Sequence, residues 1–239
     1  PFTEEVQMFV DRMKVLACAF VVSLIGCGEE NAAPVTMRVS VTNISVTNQV
    51  ETSTGFADIL LPPGVFVVTP DTEPLFAVGS SDRGQGLEAL AEDGSPVALW
   101  NALRDLGLSA GIFELSDITY EQGAIEPGGV FVFFIEASRG DRLHLATMLG
   151  MSNDSYYATD ADGIELFEGR NPRTADVSDQ IRLYDLGTEQ NEPLAEGANQ
   201  PAMQSAAGAG LAEDGTVELN TAEQVQAASV IRVTIEPVL

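Results

Sequence analysis

The sequence predicts an all-β domain: an antiparallel β-sandwich with one or two short inserted helices. Two observations carry that expectation. At both ends of the region apolar and polar residues alternate: Val35, Met37, Val39 and Val41 with Thr36, Arg38, Ser40 and Thr42, and Ile231, Val233 and Ile235 with Arg232, Thr234 and Glu236. A period of two puts one face of a strand in a core and the other in water. Between these runs lie many short strand-like segments and only two helical stretches, which argues against an alternating α/β chain.

In chain order, the two terminal runs are expected in one sheet, as candidate neighbours. A strand is expected at 63–69 (PGVFVVT) and a short helical turn at 87–92 (LEALAE). A firmer helix follows: Ser95 caps it, Pro96 fits its first turn, Leu99, Leu103 and Leu106 line one face, and Gly107 ends it. Val130 to Ile135 (VFVFFI) is continuously apolar, as in a strand covered on both sides, and ends in Glu136. A Gly140-Asp141 turn then leads to Leu143, Leu145, Thr147 and Leu149, which alternate again and suggest a hairpin. Further strands are expected at 163–167 and 178–184. Segment 194–228, rich in Ala, Gly, Gln and Glu, reads as a long loop, and no internal repeat is visible.

The N-terminus has a different character. Arg12 and Lys14 precede an apolar run from Val15 to Ile25, too short for a bilayer span of roughly 20 residues. It fits the charged and apolar regions of a secretion signal. Leu24-Ile25-Gly26-Cys27 resembles a bacterial lipobox, in which cleavage falls before the cysteine and its thiol is acylated. The alternative is an ordinary signal peptide with an incidental cysteine. On the lipobox reading, residues 1–26 are upstream sequence and signal, with Met8 or Met13 as candidate starts. Residues 27–34 are a lipidated tether and 35–239 the folded domain. Gly28, where an aspartate would signal retention, favours the outer membrane, so an extracytoplasmic location at the bacterial outer membrane or cell surface is expected, anchored in the membrane through Cys27.

Composition narrows the chemistry. Thirty-six acidic residues against eleven basic ones give a formal charge of −25, and no lysine follows Lys14. Such a surface repels nucleic acid and anionic headgroups, so no nucleic-acid partner is expected. Of the two cysteines, Cys18 lies in the signal and Cys27 is the acylation site, leaving no thiol for a disulfide, a zinc site or a nucleophile. Gly107-Leu108-Ser109-Ala110-Gly111 matches the G-x-S-x-G pattern of serine hydrolases. That mechanism needs a strand-to-helix turn, whereas Gly107 here ends a helix. His144, the single histidine, sits mid-strand beside Asp141 and cannot make a site of nitrogen ligands alone.

The carboxylates are more suggestive. Residues 151–163 (MSNDSYYATDADG) carry Asp154, Asp160 and Asp162, and residues 184–192 (YDLGTEQNE) carry Asp185, Glu189 and Glu192. An EF-hand is excluded, because aligning Gly163 to its sixth position puts Ala158 first and Gly169 last. A calcium site here has to be assembled from separate loops. Two carboxylates about 4 Å apart repel by roughly 4 kcal/mol at an effective dielectric near 20, and a hard cation relieves that repulsion. Composition alone leaves solvated loops and a calcium site equally open.

Five blocks resemble the spondin N-terminal domain: PLFAVG at 74–79, GLEALAEDG at 86–94, GDRLHLATMLGMSND at 140–154, LFEGRNP at 166–172 and YDLGTEQNEP at 184–193. The resemblance covers roughly residues 36–236. It implies a C2-like antiparallel β-sandwich with Ca²⁺ held by loops at one end. Its acidic ligands fall on Asp154, Asp185 and Glu189, with Asp160 and Asp162 as auxiliary candidates. Two departures stand out: Ser155 replaces the aromatic that often follows the first ligand, and Glu189 stands where animal members have Asp. The resemblance implies a non-enzymatic role in adhesion or recognition of an extracellular protein or glycan. The alternatives are a hydrolase using Ser109 or a metal-activated water, and a purely structural envelope lipoprotein.

Overall fold

The computed structural model describes residues 33–115 and 123–238. The signal-like segment with its candidate starts Met8 and Met13, Cys18, the lipobox-like tetrapeptide and Cys27 lie outside the described residues. The strands are β1 (Val35–Asn43), β2 (Val50–Thr52), β3 (Gly55–Ala57), β4 (Gly64–Thr69), β5 (Ser109–Phe113), β6 (Val130–Ala137), β7 (Arg142–Met148), β8 (Ser155–Thr159), β9 (Ile164–Glu165), β10 (Phe167–Glu168), β11 (Asn171–Pro172), β12 (Ala175–Asp176), β13 (Ile181–Asp185), β14 (Glu218–Leu219) and β15 (Ile231–Pro237). Two helices, α1 (Leu87–Asp93) and α2 (Val97–Asp105), separate β4 from β5. One antiparallel sheet has the order β12-β15-β1-β6, and the other runs β14-β13-β8-β7-β4-β5.

The two sheets pack face to face, as the alternating patterns predict. Met37, Val39 and Val41 of β1 and Val233 and Ile235 of β15 point inward, meeting Leu143, Leu145, Tyr157 and Leu183 from the second sheet. Burial of each such side chain is worth about 1.5–3 kcal/mol. The terminal strands are direct neighbours, with Val39 opposite Ile235 and Val41 opposite Val233. Buried Asn43 closes this end of the core: its amide donates to the carbonyls of Ile59 (2.8 Å) and Ile125 (3.1 Å).

The second sheet is covered on its other face too. Leu87 and Leu90 of α1 and Leu99 and Leu103 of α2 pack on Val65, Val67, Ala146, Tyr156 and Tyr184. Gly86 and Gly94 flank α1, both with left-handed backbone. Pro96 precedes α2 without a capping hydrogen bond from Ser95, and Leu106 is exposed rather than part of the apolar stripe.

This third layer accounts for two departures from the pattern-based expectations. The apolar run of β6 is an edge strand, not one covered on both sides, and its Phe134 is 57% exposed. The alternating β7 is instead buried on both faces, one against β1 and β6 and the other against the helices. The expected hairpin does not form, since β6 and β7 belong to different sheets and the Gly140 turn crosses the sandwich. Periodicity reads the polarity of neighbouring side chains and not the layer a strand occupies. Segment 178–184 begins as a 3₁₀ turn (Ser178–Gln180), segment 163–167 divides between β9 and β10, and the long loop carries β14 and short helical turns near its end.

Candidate functional site

The site residues are placed by the β8–β13 ladder. In it Ser155 faces Asp185, Tyr156 faces Tyr184 and Tyr157 faces Leu183. Asp154 thus enters β8 beside the point where β13 ends at Asp185. The amide of Leu186 donates to the Asp154 carbonyl at 3.2 Å, extending the ladder by one bond. Gly187 then turns with φ 73°. A Cβ there would meet the backbone of Thr216 at 2.8 Å, so this reversal requires glycine.

That turn delivers backbone amides to the carboxylates. Gly187 N–H donates to Asp154 Oδ2 (3.2 Å) and to Asp185 Oδ1 (2.9 Å), bringing both side chains to one hydrogen. Glu189 N–H also donates to Asp154 Oδ2, at 3.4 Å. Asp154 is fully buried, and among the described residues its second oxygen, Oδ1, has no hydrogen-bond partner. Burial, reinforced by the charge of Asp185, pushes the Asp154 carboxyl up to about 7, against the opposing pull of the 187–189 amides. Asp185 Oδ2 accepts from the Asn191 amide at 2.6 Å. The partners that satisfy this pair are amides, none of them charged.

Glu189 is close in the chain but its carboxylate is engaged elsewhere. Oε1 accepts from Gly210 N–H (2.8 Å) and Oε2 from the Asn153 amide (3.3 Å). Nearby, buried Glu92 accepts from the Thr188 hydroxyl at 2.7 Å. Its carboxyl is pushed up to about 7, first by burial, with Thr188 opposing and the charge of Glu189 adding to the rise. The loop end therefore holds two neighbouring acidic pairs, Asp154 with Asp185 and Glu92 with Glu189. Among the described residues, no three His, Cys, Asp or Glu side chains converge closely enough to hold a metal together.

Asp160 and Asp162 are placed apart from this cluster. They follow β8 while Asp154 precedes it, and at about 3.3 Å per residue the intervening strand separates them by roughly 20 Å. Asp160 pairs with Arg182 (3.3 Å) and accepts from the Tyr184 hydroxyl (3.3 Å). His144 is buried in β7, with Nε2 3.1 Å from the Asp71 carbonyl oxygen, and burial lowers it to about 4. Ser109 starts β5 and pairs with Val68, whose other neighbour is Leu143, so β4 stands between the serine and the histidine strand.

A cleft of about 480 Å³ opens beside Asp185, lined by Ser155, Asn191, Glu213, Glu218, Asn220 and neighbouring residues, with no Lys, Arg or His in its wall. Sequence reasoning located Asp154 and Asp185 but missed Glu92, which reads as one more polar position of a short helix, and Gly210, whose loop has no periodic signal. Asn153 was visible only as part of the SND block. No protein-family model and no curated protein matches this chain.

Of the four oxygens in the Asp154–Asp185 pair, three accept amide hydrogens and one is left over. Asp154 Oδ1 is a buried acceptor with no donor among the described residues, and the Asp185 carboxylate shares the Gly187 amide with its other oxygen. Calcium prefers such oxygens, six to eight in number.

Proposed function

We propose that this protein is a lipid-anchored, extracytoplasmic β-sandwich that binds Ca²⁺ at Asp154 and Asp185 and presents the surrounding loops to a ligand outside the cell. The observation that carries the calcium reading is the buried Asp154 Oδ1, which has no hydrogen-bond partner among the described residues. A buried carboxylate oxygen in that state costs stability until a proton or a cation joins it. The adjacent Asp185 disfavours leaving both groups charged and bare. Asp154 and Asp185 are the side chains that would hold the ion. Glu189 supports Asp154 through its backbone N–H, and its carboxylate joins the ion only by releasing Gly210 and Asn153. The ion neutralises a loop end that otherwise repels itself, which fits a structural clamp for a recognition surface. The resemblance to spondin-type domains supports the adhesive role, and the lipobox at Cys27 supports the anchor.

Thermal melts of residues 28–239 in EDTA and in Ca²⁺ test the site. A ligand at 100 times its Kd that binds only the folded state adds about 2.7 kcal/mol, or roughly 5–10 °C in Tm for a domain of this size. That rise is expected in the wild type and absent in the Asp154→Asn, Asp185→Asn double variant. An unchanged Tm, or an equal rise in both proteins, overturns it. For the anchor, Cys27→Ser is expected to release the full chain from the membrane fraction, and unchanged fractionation refutes acylation.

A further inference from the structure

Two buried side-chain polar atoms lack a hydrogen-bond partner among the described residues: Asp154 Oδ1 and Tyr156 Oη. Asp154 stands just before β8 and Tyr156 is that strand's second residue, two positions apart in the chain and close enough for the charge of Asp154 to act on the hydroxyl. Such orphaned groups are rare in folded proteins, and two only two residues apart call for a common explanation.

Packing alone does not supply it. The Tyr156 ring sits edge-on to Phe76 (5.4 Å between centroids) and stacks with Tyr184 (5.7 Å). Phenylalanine would fill that place equally well without burying a hydroxyl. The neighbouring tyrosines do use theirs: Tyr157 donates to the Val225 carbonyl at 2.7 Å and Tyr184 to Asp160 at 3.3 Å. A tyrosine hydroxyl both donates and offers lone pairs, whereas a carboxylate oxygen only accepts. One kind of occupant satisfies both: a divalent cation taking lone pairs from each, or a water of its shell that accepts from Tyr156 and donates to Asp154.

We propose that the Tyr156 hydroxyl is a further ligand of the Asp154 cation, bound directly or through one of the ion's waters. This places the ion beside the Tyr156 hydroxyl, where the chain enters β8. The inference rests on the calcium reading above but is separable from it.

Calorimetric Ca²⁺ titration of the full chain, with Tyr156→Phe, Tyr184→Phe and Asp154→Asn variants, tests it. Loss of a hydrogen-bonding group to a charged site weakens binding by about tenfold. Tyr156→Phe is expected to bind Ca²⁺ that much more weakly while its Tm in EDTA stays level or rises, since an unpaired hydroxyl has gone. Tyr184→Phe is expected to bind like the wild type. Wild-type affinity in Tyr156→Phe overturns the proposal, and a Tm change without an affinity change assigns the hydroxyl to a resident water instead. If Asp154→Asn binds as well as the wild type, or nothing binds, the calcium reading itself fails. Should Tyr156→Phe not fold, the wild-type chain labelled at tyrosine ¹³Cζ decides: it has four tyrosines, and the Tyr156 signal, assigned from variants of the other three, is expected to shift on Ca²⁺ addition. A stationary Tyr156 signal overturns the proposal.

Discussion

Replacing Asp154 with asparagine should stabilise the metal-free protein at pH 8 and destabilise it relative to wild type in Ca²⁺. Burial pushes the folded carboxyl up to about 7, against an ordinary value of 3.8. A folded-state pKa above the unfolded value means that the native protein binds the extra proton. Stability from this group is therefore complete below about pH 4 and is lost as pH rises through about 7. At pH 8 the metal-free wild type carries the full penalty, on the order of 4 kcal/mol at 1.36 kcal/mol per pH unit. Asparagine keeps an oxygen for the Gly187 and Glu189 amides, but leaves an unpaired NH₂ in place of Oδ1, which costs about 1–3 kcal/mol. The net gain is about 1–3 kcal/mol, or roughly 2–10 °C in Tm. Scanning calorimetry at pH 8 in EDTA and in saturating Ca²⁺ measures both arms. A sign reversal between the two buffers is expected. Asp154→Asn lower than wild type by the same margin in both would refute the reasoning.

Other perturbations separate the remaining groups. Glu92→Gln removes a second carboxyl raised to about 7, so in EDTA the fall of stability between about pH 4.5 and 7 should be shallower, as read by urea denaturation. His144 behaves oppositely: its folded pKa of about 4 lies below the free value of 6.5, so the unfolded chain takes up the proton first. Stability should fall by up to about 3 kcal/mol as pH drops from 6.5 to 4, and His144→Gln should remove that acid-side loss from the urea midpoints. In Gly210→Ala the new Cβ would lie 1.9 Å from the Glu189 carboxylate. Displacing it should cost about 1–3 kcal/mol, with faster amide hydrogen exchange at residue 210 as a local readout.

The fold was most legible where burial is one-sided. β1 and β15 each present one apolar face to the opposite sheet, and their alternation identified both strands; that they are neighbours is shown by their register. It misled where a third layer intervenes: β7 alternates in polarity yet is enclosed on both faces, while the VFVFFI run of β6 lies at a sheet edge with Phe134 in water. Sandwich crossovers are invisible for a related reason, since a Gly-Asp turn serves a hairpin and a sheet-to-sheet crossing equally. At the site, Asp154 and Asp185 stood out as members of two acidic blocks, and the β8–β13 ladder brings those blocks together. The direction of the Glu189 carboxylate was not, because it is set by a hydrogen bond from Gly210, in a loop whose Ala and Gly content carries no pattern. Asp160 is close to Asp154 in sequence, yet a fully extended strand carries it to the other end of the sheet.

The most direct measurement is anomalous diffraction from crystals of the domain soaked in Ca²⁺. A single calcium peak about 2.3–2.6 Å from Asp154 Oδ1 is expected. Full occupancy elsewhere, or no peak at saturating Ca²⁺, would contradict calcium binding at this buried carboxylate.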